Sequence, residues 1–293
     1  MLEQTELADA VAPCHGRETV PQLAASLGGL APSPRPSPVE GEGVCCAAPI
    51  LSVILPVYNE AATIDEVIRR VLAAPYAKQV IVVDDGSTDG TLDVLESWEG
   101  HASVELLQHS RNRGKGAAIR TGLDHALGRF TIIQDADLEY DPEEYPALIE
   151  PMLRGEAQVV YGSRYMRTRR PSVGTAAGSG DHAATRGGGR VFRWGVSVLN
   201  VAVRVLYGAR LSDEATCYKA FPTELLKSLD LRCERFEFCA EVTAKLCRIG
   251  VGIHEVPIRY SARSKAAGKK IRWSDGLSAL WTLWKWRRWR PKA

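Results

Sequence analysis

Three short apolar runs, each closing in a polar cluster, constrain this chain more than any other feature. They are Leu51-Ser-Val-Ile-Leu-Pro-Val-Tyr-Asn-Glu60, Val80-Ile-Val-Val-Asp-Asp-Gly-Ser87 and Thr131-Ile-Ile-Gln-Asp-Ala-Asp137. Continuous Val/Ile/Leu runs bounded by turn residues are what strands buried on both faces of a parallel sheet require. Helical patterns fall between them. Ile64, Val67, Ile68, Val71 and Leu72 recur at helical spacing behind a Thr63/Glu66 capping box. Leu92, Leu95 and Trp98 share a face after Ser87-Thr-Asp-Gly90, and Ile119, Leu123, Ala126 and Leu127 follow a short strand at Val104–Leu107. Asp141 as N-cap, Pro142 at the first position and Glu143-Glu144 in the first turn open a fourth helix. Strand and helix in alternation predict an α/β fold, a mainly parallel sheet with helices on both faces.

In such sheets ligands bind beyond the carboxyl ends of the strands. Here those ends carry Tyr58, Asn59, Glu60, Asp84, Asp85, Asp135 and Asp137. So many carboxylates in one crevice are costly unless a cation sits among them. Asp135, Asp137 and Glu139 alternate just past the third run and point to one side if the chain stays extended. Hard oxygen ligands of this kind suit Mg2+ or Mn2+, completed by substrate phosphates. Asp84-Asp85-Gly86-Ser87 reads as a tight turn, and a carboxylate there is also placed to accept hydrogen bonds from a nucleobase or ribose. Arg111-Asn-Arg-Gly-Lys-Gly116 lies at a helix start, where N–H groups and positive side chains favour phosphate. It is not a Walker loop, because His109 stands where the earlier Gly is required and Ala117 replaces Ser/Thr.

The second half is less regular. Val159-Val-Tyr161 reads as a strand, residues 192–207 as an amphipathic helix, 236–249 as a helix and 252–260 as a last strand. Residues 1–49, built round Pro32-Ser-Pro-Arg-Pro-Ser-Pro38, read as a disordered segment, since their composition buries too little apolar surface to offset chain entropy. Residues 50–262 read as one catalytic domain with a flexible Gly/Ala-rich acceptor loop at 167–189, and 263–293 as a basic, Trp-rich segment. There Trp273, Leu277, Leu280, Trp281 and Trp284 fall at helical spacing, followed by Lys285, Arg287, Arg288 and Arg290. That composition predicts a helix lying in a membrane interface, too short and too charged to span. A formal charge of +2 argues against nucleic-acid coating. Seven cysteines with no C-x-x-C pair favour a reducing, cytoplasmic location, at the inner membrane face.

Pro56-Val-Tyr-Asn-Glu60, Asp84-Asp-Gly-Ser-Thr-Asp89, Asn112-x-Gly-Lys-Gly116 and Asp135-Ala-Asp137 resemble the ordered motifs of family-2 glycosyltransferases of the GT-A fold. Gly162-Ser-Arg-Tyr165, the Asp213 segment, Glu255-Val-Pro257 and Arg263-Ser-Lys265 resemble the polyprenyl-phosphate sugar transferases, such as dolichyl-phosphate mannose synthase. The resemblance implies inverting transfer of a hexose from a GDP- or UDP-sugar to a polyprenyl phosphate. It implies that Pro56, Tyr58, Glu60 and Asp85 hold the base and ribose, with Lys115 also on the donor, and that Asp135, Asp137 and Glu139 bind metal and diphosphate. Two positions depart from the family's pattern: the 167–189 insertion, and Cys217-Tyr218 where Gly-Phe is usual.

The acceptor sets the remaining expectations. A phosphate monoester, with a second pKa of about 6, needs cations rather than a strong base. Ser163 and Arg164 after a strand, with Arg190 and Arg193 at a helix start, supply that chemistry. A sugar-hydroxyl acceptor would instead need a carboxylate such as Asp213 or Glu214 to take its proton. Catalytic roles are thus expected of Asp137, Arg164 and Asp213. A nucleotidyltransferase also uses paired aspartates, but its Gly-rich, basic loop after the first strand has no counterpart in Pro56-Val-Tyr-Asn-Glu60.

Overall fold

The computed structural model describes residues 49–166, 190–263 and 273–291; the side chains of residues 190–192 and of Trp273 are not described. The expectations for residues 1–48, for the 167–189 loop, for Lys265 and for the Arg190 side chain lie outside what is described.

Apolar runs become strands where expected. In chain order the elements are β1 (Leu51–Val57), α1 (Ile64–Ala73), β2 (Lys78–Asp84), α2 (Thr91–Glu96), β3 (Val104–Gln108), α3 (Lys115–Asp124) and β4 (Phe130–Ile133). A 3-10 turn at Pro142–Glu144 leads into α4 (Tyr145–Leu153), then β5 (Val159–Ser163), α5 (Arg190–Tyr207), β6 (Lys219–Pro222) and α6 (Thr223–Ser228). The chain continues through α7 (Phe238–Arg248), β7 (Ile253–Pro257) and α8 (Trp273–Trp286).

Among the described residues the sheet has seven strands in the order β3-β2-β1-β4-β6-β5-β7. β6 runs antiparallel to β4 and β5; all other pairs are parallel. The chain steps outward from β1 to β2 to β3, then returns to lay β4 on the other side of β1. That reversal between β1 and β4 is the topological switch point, where open sheets leave a crevice. Val53, Ile54, Leu55, Val80, Ile81, Val82, Val83, Ile132 and Ile133 are fully buried, which explains why these strands read as unbroken apolar runs. α3 seats closely on the sheet because Gly122 has no side chain: a Cβ there would lie 2.6 Å from Ile54 Cγ2.

Two local readings meet a different arrangement. Thr63 makes no cap for α1; its hydroxyl donates to the Ala136 carbonyl at 2.7 Å, tying the start of α1 to the turn after β4. Asp141 does cap, accepting from the Glu143 N–H at 3.0 Å. The four-residue β6 and the short α6 had no counterpart in the pattern.

The C-terminal helix is two-faced. Ala279 and Leu283 of α8 pack with Leu199 and Val203 of α5 and with Ala240 and Ala244 of α7. Trp286 and Trp289 lie over the ammonium of buried Lys245, at 4.1 and 5.1 Å, which in turn pairs with Glu241. Leu277, Trp281 and Trp284 are exposed, the two indoles stacked at 4.8 Å. The tryptophans therefore divide between packing and solvent. No helix among the described residues is long and apolar enough to cross a membrane.

Candidate active site

The loops leaving β1, β2 and β3 are cross-tied before any ligand enters. Asn59 has φ 51°, its N–H donates to Ser87 Oγ at 2.9 Å, and its Oδ1 accepts from the Thr88 N–H at 2.8 Å. The Glu60 N–H donates to Thr91 Oγ1 at 2.9 Å. Asp84 accepts from the N–H groups of Gly86 and Ser87, both at 3.1 Å, and so folds its own turn. Gly86 (φ +74°) presses on the next loop: a Cβ would meet Arg111 C at 2.7 Å and Asn112 N at 2.8 Å.

Asp85 joins these loops. Its Oδ1 accepts from His109 Nδ1 at 2.7 Å and from the Arg113 N–H at 2.9 Å, and its Oδ2 from the Gly114 N–H at 2.7 Å. The residue expected to meet base or ribose thus spends most of its acceptor capacity on the protein. The start of α3 is likewise engaged. Gly116 N–H and Ala117 N–H donate to the carbonyls of Arg235 and Glu234, each at 3.0 Å. Phosphate at this helix start would therefore meet side chains rather than those N–H groups. Pro56 lies within β1, in register with Val83 of β2.

After β4 the backbone turns under buried Gln134, which accepts from the Tyr145 and Tyr218 hydroxyls at 2.8 and 2.7 Å and donates to the Asp135 carbonyl at 3.1 Å. The Lys115 ammonium pairs with the Asp135 carboxylate and lies 3.1 Å from Cys217 Sγ. Burial penalises the Lys115 charge, but Asp135 outweighs that and holds the ammonium well above the ordinary lysine range. Asp137 accepts from Arg263 at 3.3 Å. Its carboxyl is pushed up to about 6, chiefly by burial, then by the negative charges of Asp135 and Glu139.

Arg263, read in the sequence only as part of a motif, crosses this crevice. Its guanidinium reaches both oxygens of Glu60 at 2.9 and 3.0 Å as well as Asp137. Glu139 anchors the strap that carries it, accepting from the Tyr260 hydroxyl and from the Arg263 N–H. Glu139 is therefore turned to the strap, and the three carboxylates expected to share one ion are not gathered round one point. Among the described residues no three His, Cys, Asp or Glu side chains form a ligand set.

The acceptor-side expectations change most. The side chains of Arg164 and Asp213 are both buried and paired: Nε and Nη2 of Arg164 each donate at 2.7 Å to one oxygen of Asp213, and the Arg164 N–H donates to it at 3.0 Å. The Arg164 guanidinium also lies 5.1 Å from the Tyr260 ring. Glu255 supports the same turn, accepting from Ser212 N–H and Asp213 N–H at 2.7 and 3.0 Å. Ser163 Oγ bonds Ser212 Oγ at 2.7 Å and accepts from the N–H groups of Tyr165 and Met166 at 3.2 Å. Arg164, Asp213 and Ser163 thus build the turn after β5. They do not form an open cradle for phosphate, and Asp213 is not a free base. Arg193 is exposed in the first turn of α5.

Residues 52–181 match the family model Glycosyl transferase family 2. Over 75% of its length the chain is 28% identical to a dodecaprenyl-phosphate galacturonate synthase of Rhizobium johnstonii and 29% identical to an undecaprenyl-phosphate 4-deoxy-4-formamido-L-arabinose transferase of Pseudomonas aeruginosa. It spans 61% and 59% of those proteins' own lengths. Among solved structures it resembles glucosyl-3-phosphoglycerate synthase from Mycobacterium tuberculosis in complex with Mn2+, uridine-diphosphate and glucosyl-3-phosphoglycerate. That match has a TM-score of 0.59 and 22% identity, over 81% of this chain and 80% of the other. The complex of that enzyme with Mn2+, uridine-diphosphate-glucose and phosphoglyceric acid gives a TM-score of 0.60 at 24% identity, over 82% and 80%. At these identities the structural likeness speaks to the fold.

Proposed function

We propose that this chain, which carries a family-2 glycosyltransferase domain on a GT-A fold, moves a hexose from a GDP- or UDP-sugar to a polyprenyl phosphate. The observation that carries this reading is the charge cluster beyond the carboxyl ends of β1 and β4, where Asp135 pairs with Lys115 and Asp137 with Arg263. Carboxylates and cations alternating in one cleft suit a diphosphate and its counterion. The named relatives each join a sugar to a polyprenyl phosphate, which supports the acceptor class.

The donor set fits a divalent ion. Mg2+ and Mn2+ take one or two carboxylates and complete their shell with substrate phosphate and water, so Asp135 and Asp137 suffice without Glu139. When bound, the ion would stabilise charge developing on the departing diphosphate. Lys115, held protonated by Asp135, would add a second positive charge on the same side. Arg263 would trade its carboxylate partners for phosphate oxygens, for which its planar fork is equally suited. Tyr58 and Glu60 remain assigned to the nucleoside.

The acceptor reading gains support from the Arg164–Asp213 pair. A sugar hydroxyl would need a carboxylate free to take its proton, whereas Asp213 is fastened to a guanidinium through both oxygens and Glu214 is buried, 1% exposed. A phosphate acceptor has no such need; Arg193, with Arg190 in the same helical turn, is assigned to it. The exposed Leu277, Trp281 and Trp284, with Arg287 and Arg288 beyond them, would set α8 in the interface of the cytoplasmic leaflet, where a lipid-linked acceptor is met.

The test is release of nucleotide from UDP-glucose and GDP-mannose, with and without Mn2+ or Mg2+, and with polyprenyl phosphate or free sugars as acceptor. Metal-dependent transfer to the lipid phosphate, lost in Asp137→Ala with the fold retained, is expected. Full turnover of that variant in excess EDTA would refute the metal assignment. Transfer to sugar hydroxyls alone would refute the acceptor.

A further inference from the structure

His109 is absent from every motif above, yet it is bonded into the centre of the nucleotide-side loops. It follows β3, is 7% exposed, and its N–H donates to the Asp84 carbonyl at 2.8 Å. Its Nδ1 lies 2.7 Å from Asp85 Oδ1 and its Nε2 lies 2.9 Å from Thr121 Oγ1. One imidazole therefore bolts the end of β2 to the body of α3. An ionised carboxylate only accepts, so the proton on this contact sits on Nδ1, and Nε2 is left to Thr121.

Asp85 has no other side-chain donor among the contacts described. Its remaining partners are the N–H groups of Arg113 and Gly114, the two residues that set where α3 and Lys115 begin. If the carboxylate turns, those two N–H groups lose their acceptor, and Lys115, one residue on, loses its fixed origin opposite Asp135. Gly86 packs close enough to Arg111 and Asn112 to exclude a Cβ, but no hydrogen bond to either is among the contacts described, so the carboxylate of Asp85 is what ties this loop.

We infer that His109 is the positioning residue of the nucleotide side of the crevice: through Nδ1 it fixes the Asp85 carboxylate, and through Asp85 the 113–115 loop that presents Lys115 to the donor diphosphate. The inference rests on the donor-binding reading above. It assigns His109 no contact with the reacting atoms.

Three substitutions separate the two ring nitrogens. His109→Asn keeps an N–H where Nδ1 stands; His109→Gln reaches the Nε2 place and gives up the bond to Asp85; His109→Leu gives up both. Affinities for GDP and UDP would be measured by calorimetry with Mn2+ present, donor KM and kcat by turnover, and loop fixation by amide exchange at Arg113 and Gly114. Losing one charge-assisted hydrogen bond at a buried acceptor corresponds to roughly tenfold or more. His109→Gln and His109→Leu should therefore weaken nucleotide binding and raise donor KM about tenfold or more. Exchange at both amides should speed up comparably, and kcat should fall as well, because Lys115 faces the charge that develops on the departing diphosphate. His109→Asn should stay near the parent in all of these. Parent-like exchange and KM in His109→Gln would overturn the inference, as would failure of Asn to do better than Leu. If the parent bound neither nucleotide, the donor reading would fall and the assignment of His109 to donor positioning with it. In that case the exchange pattern would still show whether His109 fixes the loop.

Discussion

Removing one partner of the Arg164–Asp213 pair should unfold the protein more readily, and removing both should not. Arg164 has a side-chain exposure of 5% and Asp213 of 0%, so either charge left alone stays in a low-dielectric setting. Breaking a buried ion pair from one side costs about 3–5 kcal/mol, because the orphaned charge keeps its desolvation penalty. For a folded region of this size that corresponds to a fall in melting temperature of about 6–20 °C. Arg164→Met and Asp213→Leu should each show it in urea titration and in thermal melts followed by circular dichroism. The double variant removes both charges and keeps volume, so it should recover most of the loss, short of the Asp213 contact to the Arg164 N–H. Apparent KM for donor and acceptor in Arg164→Met should move together, as expected of a structural pair. The reasoning is refuted if the single variants lose less than about 1 kcal/mol, or if the double variant is as unstable as the sum of the two.

Gly86→Ala places a Cβ 2.7 Å from the Arg111 carbonyl carbon at a positive φ, whereas Gly100→Ala, at φ +75°, meets nothing within 4 Å. The first should cost about 2–3 kcal/mol and weaken nucleotide binding; the second should cost only the backbone term of about 1 kcal/mol. Equal losses in urea titration would deny that the two loops press on each other. Trp281→Ser with Trp284→Ser should reduce flotation with anionic vesicles by about tenfold or more while leaving the melting temperature unchanged, both rings being exposed. Unchanged flotation would remove α8 from the membrane reading. Deleting residues 1–45 should leave thermal stability and turnover as they are, since no apolar periodicity ties that segment to a core; a large drop on truncation would show otherwise.

How much of this was legible follows from what each element buries. β1, β2 and β4 are covered on both faces, so apart from buried Ser52 and Thr131 and the opening Lys78-Gln79 they are apolar up to their carboxyl ends, where the candidate site residues begin. β6 hid itself because Lys219, its first residue, breaks the apolar run Cys217-Tyr-Lys-Ala-Phe221. That lysine is fully buried, donating to the carbonyls of Glu214 and Thr216 at 2.7 and 2.6 Å and lying 4.2 Å over the Tyr161 ring. Composition alone reads such a residue as surface. The partners of Arg164 and Asp85 were hidden for a different reason. Asp213 lies 49 positions from Arg164 and His109 lies 24 from Asp85, separations that local periodicity does not register. A basic residue near a strand end reads as a phosphate ligand until the sheet order brings its carboxylate alongside.

That sheet order also sets apart two boundaries that are easily confused. The stretch matching the family model stops at residue 181, but β4 and β5, both inside it, never touch as neighbours; β6, from beyond it, is the strand inserted between them. A polypeptide ending at 181 would leave β4 with an open hydrogen-bonding edge and β5 without either of its neighbours. It would also lack the Arg235 and Glu234 carbonyls that receive the first N–H groups of α3. The stretch that matches the family model is thus not a piece that can be excised with its sheet intact. Any rearrangement that preserved its motifs but lost four residues, Lys219 to Pro222, would dismantle the sheet on which those motifs are displayed.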